Sequence, residues 1–410
     1  MKILVVHEVD WLKKVVYEIH NISEQMSRLG HDVFAIDYED TWQRNGMFDF
    51  GTLRTRVYDR VSRTIPDGPV CLTHPGFIKI PGLSRVSAAI THYREIKRVI
   101  TREKIDVILL YSVPTNGLQT LRLAKKYGIP VVFRSIDILH RLVKFPCLRP
   151  ATKLLEKRIY KGVDKILAIA PQYADYVVRM GADPEKVRQV LMPIDTTLFR
   201  PTDDYTELYA KWNLSPEDKV ILFVGTLFHF SGLDGFLRLL PGIIEKVPEA
   251  KLLIVGDGPQ RSRLEELIGE LNLRGHAAIT GFQPYETMPQ YMNLATVCIN
   301  TFPNDEHTGD TFPGKVIQYL ACGRPTVVTP QRALVNLLPE DAGIGYGEGA
   351  TMAAEITDVL QSRERRKRMG EAGLAYVERT HTYDIISRQF EAELIETVEN
   401  YRRKKPARSS

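Results

Sequence analysis

The chain has 410 residues, 44% hydrophobic and 26% charged, the composition of a globular protein too long for one ordinary core. No run of about 18 apolar residues occurs, so no helix is expected to span a membrane. Residues 1–200 carry 32 Lys and Arg against 21 Asp and Glu, and the remainder 23 against 29, so the net charge of +5 hides a basic first half.

The opening MKILVVHEVD reads as a first strand, Ile3–Val6, and not as a signal peptide. Leu12–Leu29 reads as a helix stopped by Gly30, and Asp32–Ile36 as the next strand. Residues 40–83 are rich in Gly, Pro and Arg and give no regular pattern. Ile90, Tyr93, Ile96, Val99 and Ile100 fall on one helix face, with Arg94, Lys97, Arg98 and Arg102 on the other. Val107–Tyr111, Val131–Phe133, Ile166–Ile169 and Val187–Leu191 are further strands. A turn-rich linker, Pro193–Asp204, follows, and the pattern restarts. Val220–Val224, Leu252–Val255, Ala277–Thr280, Val297–Ile299 and Thr326–Val328 are strands. Leu233–Lys246, Arg261–Leu271, Glu286–Leu294 and Lys315–Ala321 are helices between them. Glu355–Tyr401 is helical with a break at Thr380 and Thr382, and the basic tail is expected to be disordered. The alternation predicts an α/β chain of two doubly wound, mostly parallel sheets. The expected domains are 1–195 and 196–382, with 383–410 a terminal helix and tail.

The stretch Asp305–Val328 joins an acidic, Gly-bearing loop to a helix and a strand. Gly309, Asp310 and Thr311 offer loop and N-cap chemistry, and Pro313 suits a first helical turn. Free amides and the positive dipole end make such a start favourable for an anion. An ordinary loop–helix–strand unit is the alternative. Two Gly-bearing turns also follow strands, Gly225 to Gly232 and VGDGP at Val255–Pro259. Both lie at strand carboxyl ends, where α/β sheets bind ligands, and neither is a G-x-G-x-x-G dinucleotide fingerprint. The four cysteines lack C-x-x-C spacing and are expected as thiols in a reducing cytoplasm. The basic half suits an anionic partner such as a membrane surface, with solvated helix faces as the alternative. No nucleic-acid module occurs, so nucleic acid is not an expected partner.

Several pieces together carry a resemblance. They are MKILVV, MSRLGHDV, LLEKRIYKGVDKILAIAPQYADYVVRMG, PIDTTLFRP, ILFVGTL, LLIVGDGPQRSRLEEL, ITGFQPYETMPQYMNLATVCIN and PGKVIQYLACGRPTVV. In this order and spacing the chain resembles a family 4 glycosyltransferase of GT-B fold over nearly its whole length. The resemblance implies two Rossmann-like domains facing across a cleft, an acceptor-side first domain and a nucleotide-sugar-binding second. The terminal helix is expected to cross back to the first domain. It implies transfer with retention, no cofactor, no metal held by an Asp-x-Asp motif, and a saccharide or lipid-linked acceptor. The cysteines suit a cytoplasmic location, and the basic half suits one at the cytoplasmic face of a membrane, with a lipid-linked acceptor there.

Members often carry an Arg after the glycine matching Gly225 and a Lys before the one matching Gly232. Here Thr226 and Ser231 stand there. The family's paired Glu match Asp310, near the sugar, and Gln318, at the ribose. The catalytic-region His aligns with Ile136, beside Asp137. The resulting donor-site expectation is Gly225, Thr226, Ser231, Gly232, Gly256, Asp257, Gly309, Thr311, Phe312, Lys315 and Gln318, with Asp310 and Asp137 catalytic. Asp257 and Pro284–Tyr285 would shape the base and ribose loops. Lys315 is the candidate for the displaced diphosphate cation, with a solvent-facing Lys as the alternative; His229 is a weaker candidate. For Asp137 the alternative is a helix cap. Two other classes stay open: a non-catalytic partner in a glycosyltransferase complex, and a nucleotide-sugar epimerase of GT-B fold.

Overall fold

The computed structural model describes residues 1–13, 16–39, 50–80, 83–143, 145–305 and 308–404. The chain divides into two compact units, Met1–Pro193 with the chain from Ile386 on, and Ile194–Ile385.

In the first unit, β1 (Lys2–Val6), β2 (Asp32–Ile36), β3 (Arg56–Val61), β4 (Val70–His74), β5 (Val107–Leu110), β6 (Val131–Ser135), β7 (Lys165–Ala168) and β8 (Val187–Gln189) form one sheet. The order is β3-β4-β2-β1-β5-β6-β7-β8, parallel except for the antiparallel β3–β4 pair. β1 sits centrally, with Val6 in register with Ile36 on one side and Leu110 on the other. It reads as an unbroken apolar run because both faces are covered. Ile19 and Ile22 of helix Glu18–Arg28 pack there with Phe390, Leu394 and Val398 of the terminal helix Tyr383–Lys404.

β3 and β4 lie in the stretch that gave no pattern. β3 is an edge strand, RVYDRV, with neither face fully buried, and so shows no apolar alternation. The helix expected from Leu12 starts at Glu18. The Asp10 carboxylate accepts the amides of Leu12 (3.1 Å) and Lys13 (3.0 Å), and Asp37 accepts that of Trp11 (3.0 Å). Those side-chain bonds give the backbone a turn in place of a helical start. In helix Ser84–Glu103 the buried stripe is Ala88, Thr91, His92, Ile96, Val99 and Ile100. Ile90 and Tyr93, expected inside, are 50% and 40% exposed. The buried His92 sets the helix rotation, with ring nitrogens 2.7 Å from Ala88 O and 3.0 Å from Asp37 O.

In the second unit, β9 (Lys219–Val224), β10 (Ala250–Val255), β11 (Ala277–Ile279), β12 (Val297–Asn300), β13 (Thr326–Val328) and β14 (Ile344–Tyr346) are all parallel, in the order β11-β10-β9-β12-β13-β14. Helix Leu233–Lys246 buries Leu233, Phe236, Leu237, Leu240 and Ile243 against this sheet. The segment expected as helix from Glu286 opens with a 3-10 turn at Tyr285–Thr287, and the helix proper is Met288–Leu294. The C-terminal helices are Ala350–Gln361, Arg363–Thr380 and Tyr383–Lys404. The expected disordered tail lies, from residue 405 on, outside the described residues.

Candidate functional site

The second sheet reverses direction of growth between β9 and β12, and such sheets bind ligands at the strand carboxyl ends there. β9 runs out into Gly225 and Thr226, and β12 into Thr301 and Phe302. The turns are drawn close together. A Cβ on Gly232 would lie 1.9 Å from Thr301 O, and one on Gly256 2.0 Å from Gly225 O. Both glycines have positive φ, 71° and 146°, so no side chain fits either place. Ser231 is buried, and its carbonyl accepts the Thr301 hydroxyl at 2.6 Å, so it braces the turn. Thr226 and His229 stay exposed. The exposed Asp257 carboxylate accepts from the Gly258 amide (2.8 Å) and Arg261 (3.0 Å), which hold it below the usual carboxylate range.

The loop from Asp305 closes on itself. The Gly309 and Thr311 amides donate to the carbonyls of Asp305 and Thr308, both at 2.9 Å. These two amides are therefore engaged, and do not point free as an anion contact would need. The helix begins at Lys315 with Gly314 as its cap and no side-chain cap bond, so neither Asp310 nor Thr311 caps it. Pro313 precedes the cap, and its carbonyl accepts the Val316 amide at 2.9 Å. Asp310 pairs with Arg332, Nε to Oδ1, at 3.0 Å. The buried Gln331 donates to Thr308 O and accepts from Asn300 Nδ2, both at 2.7 Å. Gln331 and Arg332 went unnoticed in the sequence, although their place just past β13, at a strand carboxyl end, was a signal. Gln318 lies near the Tyr285 hydroxyl, whose pKa burial pushes up.

Lys315 turns inward. Its Nζ lies 3.7 Å from the Phe223 ring centroid and 4.2 Å from that of Phe302, with no hydrogen-bond partner. A Cβ on Gly225 would lie 3.4 Å from that nitrogen. The amine therefore does not face solvent, as the alternative had it. Burial holds the amine well below the usual lysine range. Two ring faces favour the ammonium by about 2 kcal/mol, but an unpaired ammonium loses more than that on leaving water.

The first sheet has its own reversal between β1 and β5, where His7 and Tyr111 follow the two strands with rings 5.8 Å apart. The Val9 amide donates to His7 Nδ1 at 3.1 Å, so the neutral ring carries its proton on Nε2, 2.6 Å from the Tyr17 hydroxyl. Burial pushes His7 down to about 3, which keeps it neutral. The Tyr17 hydroxyl thus accepts from His7 and keeps its own proton to donate. Beneath it Glu18 and Arg134 form a buried pair at 2.7 Å, and the Tyr111 hydroxyl donates to Glu18 at 3.2 Å. Asp137 follows β6. It has no hydrogen bond or ion pair among the described residues, and burial pushes its carboxyl up to about 6. It caps no helix, since the short turn after it has Ile138 as its cap. His7 and Tyr17 were not singled out in the sequence. No group of three or more His, Cys, Asp or Glu among the described residues is placed to hold a metal ion.

With this geometry in view, two family profiles match, one on each unit. "Glycosyl transferase 4-like domain" covers residues 15–192, and "Glycosyl transferases group 1" covers residues 204–375. Among curated relatives, a phosphatidylinositol N-acetylglucosaminyltransferase subunit of Arabidopsis thaliana is 23% identical over 60% of this chain and 52% of its own. Sulfoquinovosyl transferase of the same plant is 23% identical over 70% of this chain and 55% of its own. The chain thus spans about half the length of these relatives. Among solved structures, sucrose-phosphate synthase from Thermosynechococcus elongatus superposes with a TM-score of 0.75 at 17% identity, covering 98% of this chain and 100% of that one. Anabaena HepE in complex with UDP gives 0.71 at 15% identity, over 97% and 100%. WaaG, a glycosyltransferase involved in lipopolysaccharide biosynthesis, gives 0.66 at 13%, over 96% and 99%.

Proposed function

Because the chain belongs to the group 1 glycosyl transferases and has the GT-B fold, we propose that it moves a sugar, with retention, from a nucleotide-sugar donor to a saccharide or lipid-linked acceptor. The observation that carries this reading is the unpartnered Lys315 amine beside Gly225, at the sheet reversal of the second unit. A departing nucleoside diphosphate gathers negative charge, and a cation held out of water stabilises it strongly. Thr226 and Ser231 leave no Arg or Lys in the first turn, and Lys315 fills that need from the other side of the reversal. Gly225, Gly232, Gly256, Asp257 and Gly309 shape the donor turns, with Thr311 and Phe312 leading into the helix. Gln318, through Tyr285, holds the ribose side. Asp310 takes the sugar hydroxyls, oriented by Arg332. Asp137, with Tyr17 beside it, receives the acceptor hydroxyl in the first unit. The names of the relatives include phosphatidylinositol, and that of a structural neighbour lipopolysaccharide biosynthesis, which favours a lipid-linked acceptor at an anionic membrane surface.

The first test is thermal shift with UDP, GDP and ADP, then with their sugars. A ligand that binds only the folded chain at about 100 times its Kd adds about 2.7 kcal/mol of stability. If no nucleoside diphosphate moves the transition, the reading fails. Gln318→Ala should weaken diphosphate binding by about fivefold, near 1 kcal/mol for one hydrogen bond, without slowing transfer at saturating donor. Calorimetric titration checks it. Arg332→Ala should change stability by less than about 1 kcal/mol, because its pair with Asp310 is solvent-exposed. It should lower the transfer rate while leaving diphosphate affinity intact. Loss of affinity would place Asp310 and Arg332 on the nucleotide and not on the sugar.

A further inference from the structure

The first unit carries an apolar surface that none of the described residues covers. Leu142 and Phe145 are 63% and 64% exposed, and Leu148 and Leu154 are each 52% exposed. They lie on the excursion after β6, two 3-10 turns at Leu139–Leu142 and Pro146–Leu148, and on the helix Arg149–Gly162 that follows. This segment is held in place from beneath. The buried Glu156 carboxylate accepts the His140 amide at 2.7 Å, lies 2.9 Å from His140 Nδ1, and accepts the Tyr176 hydroxyl. The Leu148 amide donates to Phe145 O at 3.0 Å. The apolar side chains are therefore presented outward on an ordered base. Large apolar side chains clustered on a surface mark something that covers them.

The charge around them identifies the cover. Arg149, Lys153 and Lys157 recur at four-residue spacing along the helix, and Arg158 follows Leu154 by the same step, so cations flank the apolar row. All four are exposed, and none forms an ion pair among the described residues. Glu156 is the only acid from Leu139 to Gly162, and its side chain is fully buried. Lysine and arginine stems lie along apolar matter while their heads reach for anions, the arrangement of an interfacial segment on an anionic leaflet. The face of helix Ser84–Glu103 also exposes apolar side chains, Val86 at 59% and Ile90 at 50%. Its cations are partly used up, since Arg85 pairs with Glu8 at 3.2 Å and Arg98 with Glu95 at 2.7 Å.

We propose that Leu142, Phe145, Leu148 and Leu154, with the cations of helix Arg149–Gly162, form the surface by which this chain docks on an anionic lipid bilayer. The proposal deepens the lipid-linked-acceptor reading by naming where the membrane is met. Its test uses no donor or acceptor, so the two can fail separately. Sedimentation with vesicles of phosphatidylcholine, with and without phosphatidylglycerol, should show binding to the anionic vesicles only, weakening as salt shortens the screening length to about 8 Å near physiological strength. Leu142→Ser/Phe145→Ser/Leu148→Ser should abolish it, and Lys153→Gln and Lys157→Gln should each weaken it by about fivefold. All five positions are exposed, so thermal transitions should stay at the wild-type value and diphosphate binding should be unchanged. Val86→Ser/Ile90→Ser should bind as wild type. The proposal is overturned if wild type ignores anionic vesicles or if the triple variant still binds. It is also overturned if binding follows Val86 and Ile90, or if the triple variant only converts a dimer to a monomer in sedimentation velocity, which would make the face a self-association surface.

Discussion

Asp137→Asn is expected to stabilise the fold at pH 7 and above while lowering sugar transfer by about 100- to 10,000-fold, the range for loss of a positioned acid or base. Burial raises the Asp137 carboxyl from the ordinary 3.8 to about 6, and no donor or cation among the described residues offsets that. The folded chain therefore holds this proton more tightly than the unfolded chain. The stability contributed by the group is fully present below about pH 4 and is lost as pH rises through about 6. At pH 7 the ionised carboxylate costs up to about 3 kcal/mol, since proton affinity rises by about two decades and each decade is about 1.36 kcal/mol. A neutral isostere removes that cost, so the variant should gain over wild type at pH 8 and lose the gain at pH 4. Denaturant midpoints at both values check the sign. A destabilising unpaired acid retained at a strand carboxyl end suits a group that works on a ligand. A variant that transfers at the wild-type rate would remove Asp137 from the chemistry and leave its burial without a functional account.

Elements were readable where burial is uniform and hidden where it is not. β1, β5 and β9 stand out as apolar runs because both faces are covered. β3 carries RVYDRV along an open edge, and β14 is three residues long, so neither offers a pattern. Ile90 and Tyr93 match the helical period as well as Ile96 does. Which stripe turns inward is decided by the His92 contact with Asp37 O, 55 residues away in sequence, and no local period carries that. The glycines of the two turns were legible because close backbone approach leaves only one residue type. The partners of the charged groups were not. Arg332 reaches Asp310 across 22 residues, and Tyr17 reaches His7 through a ring tautomer set by the Val9 amide. Position at a strand carboxyl end would have drawn notice to both His7 and Arg332, though not to what each one touches.

Lys315→Met should weaken nucleoside diphosphate binding by about 10- to 150-fold, the 1.5–3 kcal/mol range of a hydrogen bond to a charged group. The same variant should fold at least as stably as wild type at neutral pH. In the free chain the amine sits against Phe223 and Phe302 with no partner, and burial depresses it. The unfolded chain therefore holds the extra proton more tightly, and stability contributed by Lys315 is full only above the ordinary lysine range and is lost as pH falls toward the folded value. Methionine keeps the stem against the two rings and has nothing to protonate. A diphosphate brings to Nζ the anionic partner it lacks, which favours the ammonium. Donor binding should then take up a proton at pH between the depressed value of the free amine and its higher value beside the diphosphate, and affinity should fall as pH rises through that window, more steeply in wild type than in Lys315→Met. Titration calorimetry in two buffers of different ionisation enthalpy measures that uptake directly. Equal observed heats in the two buffers, with unchanged affinity in the variant, would show that Lys315 stays packed between its rings when the donor binds. The compensating cation would then be sought at His229, the weaker candidate in the first turn, or in the first unit, and His229→Ala would separate the two by losing affinity only in the first case.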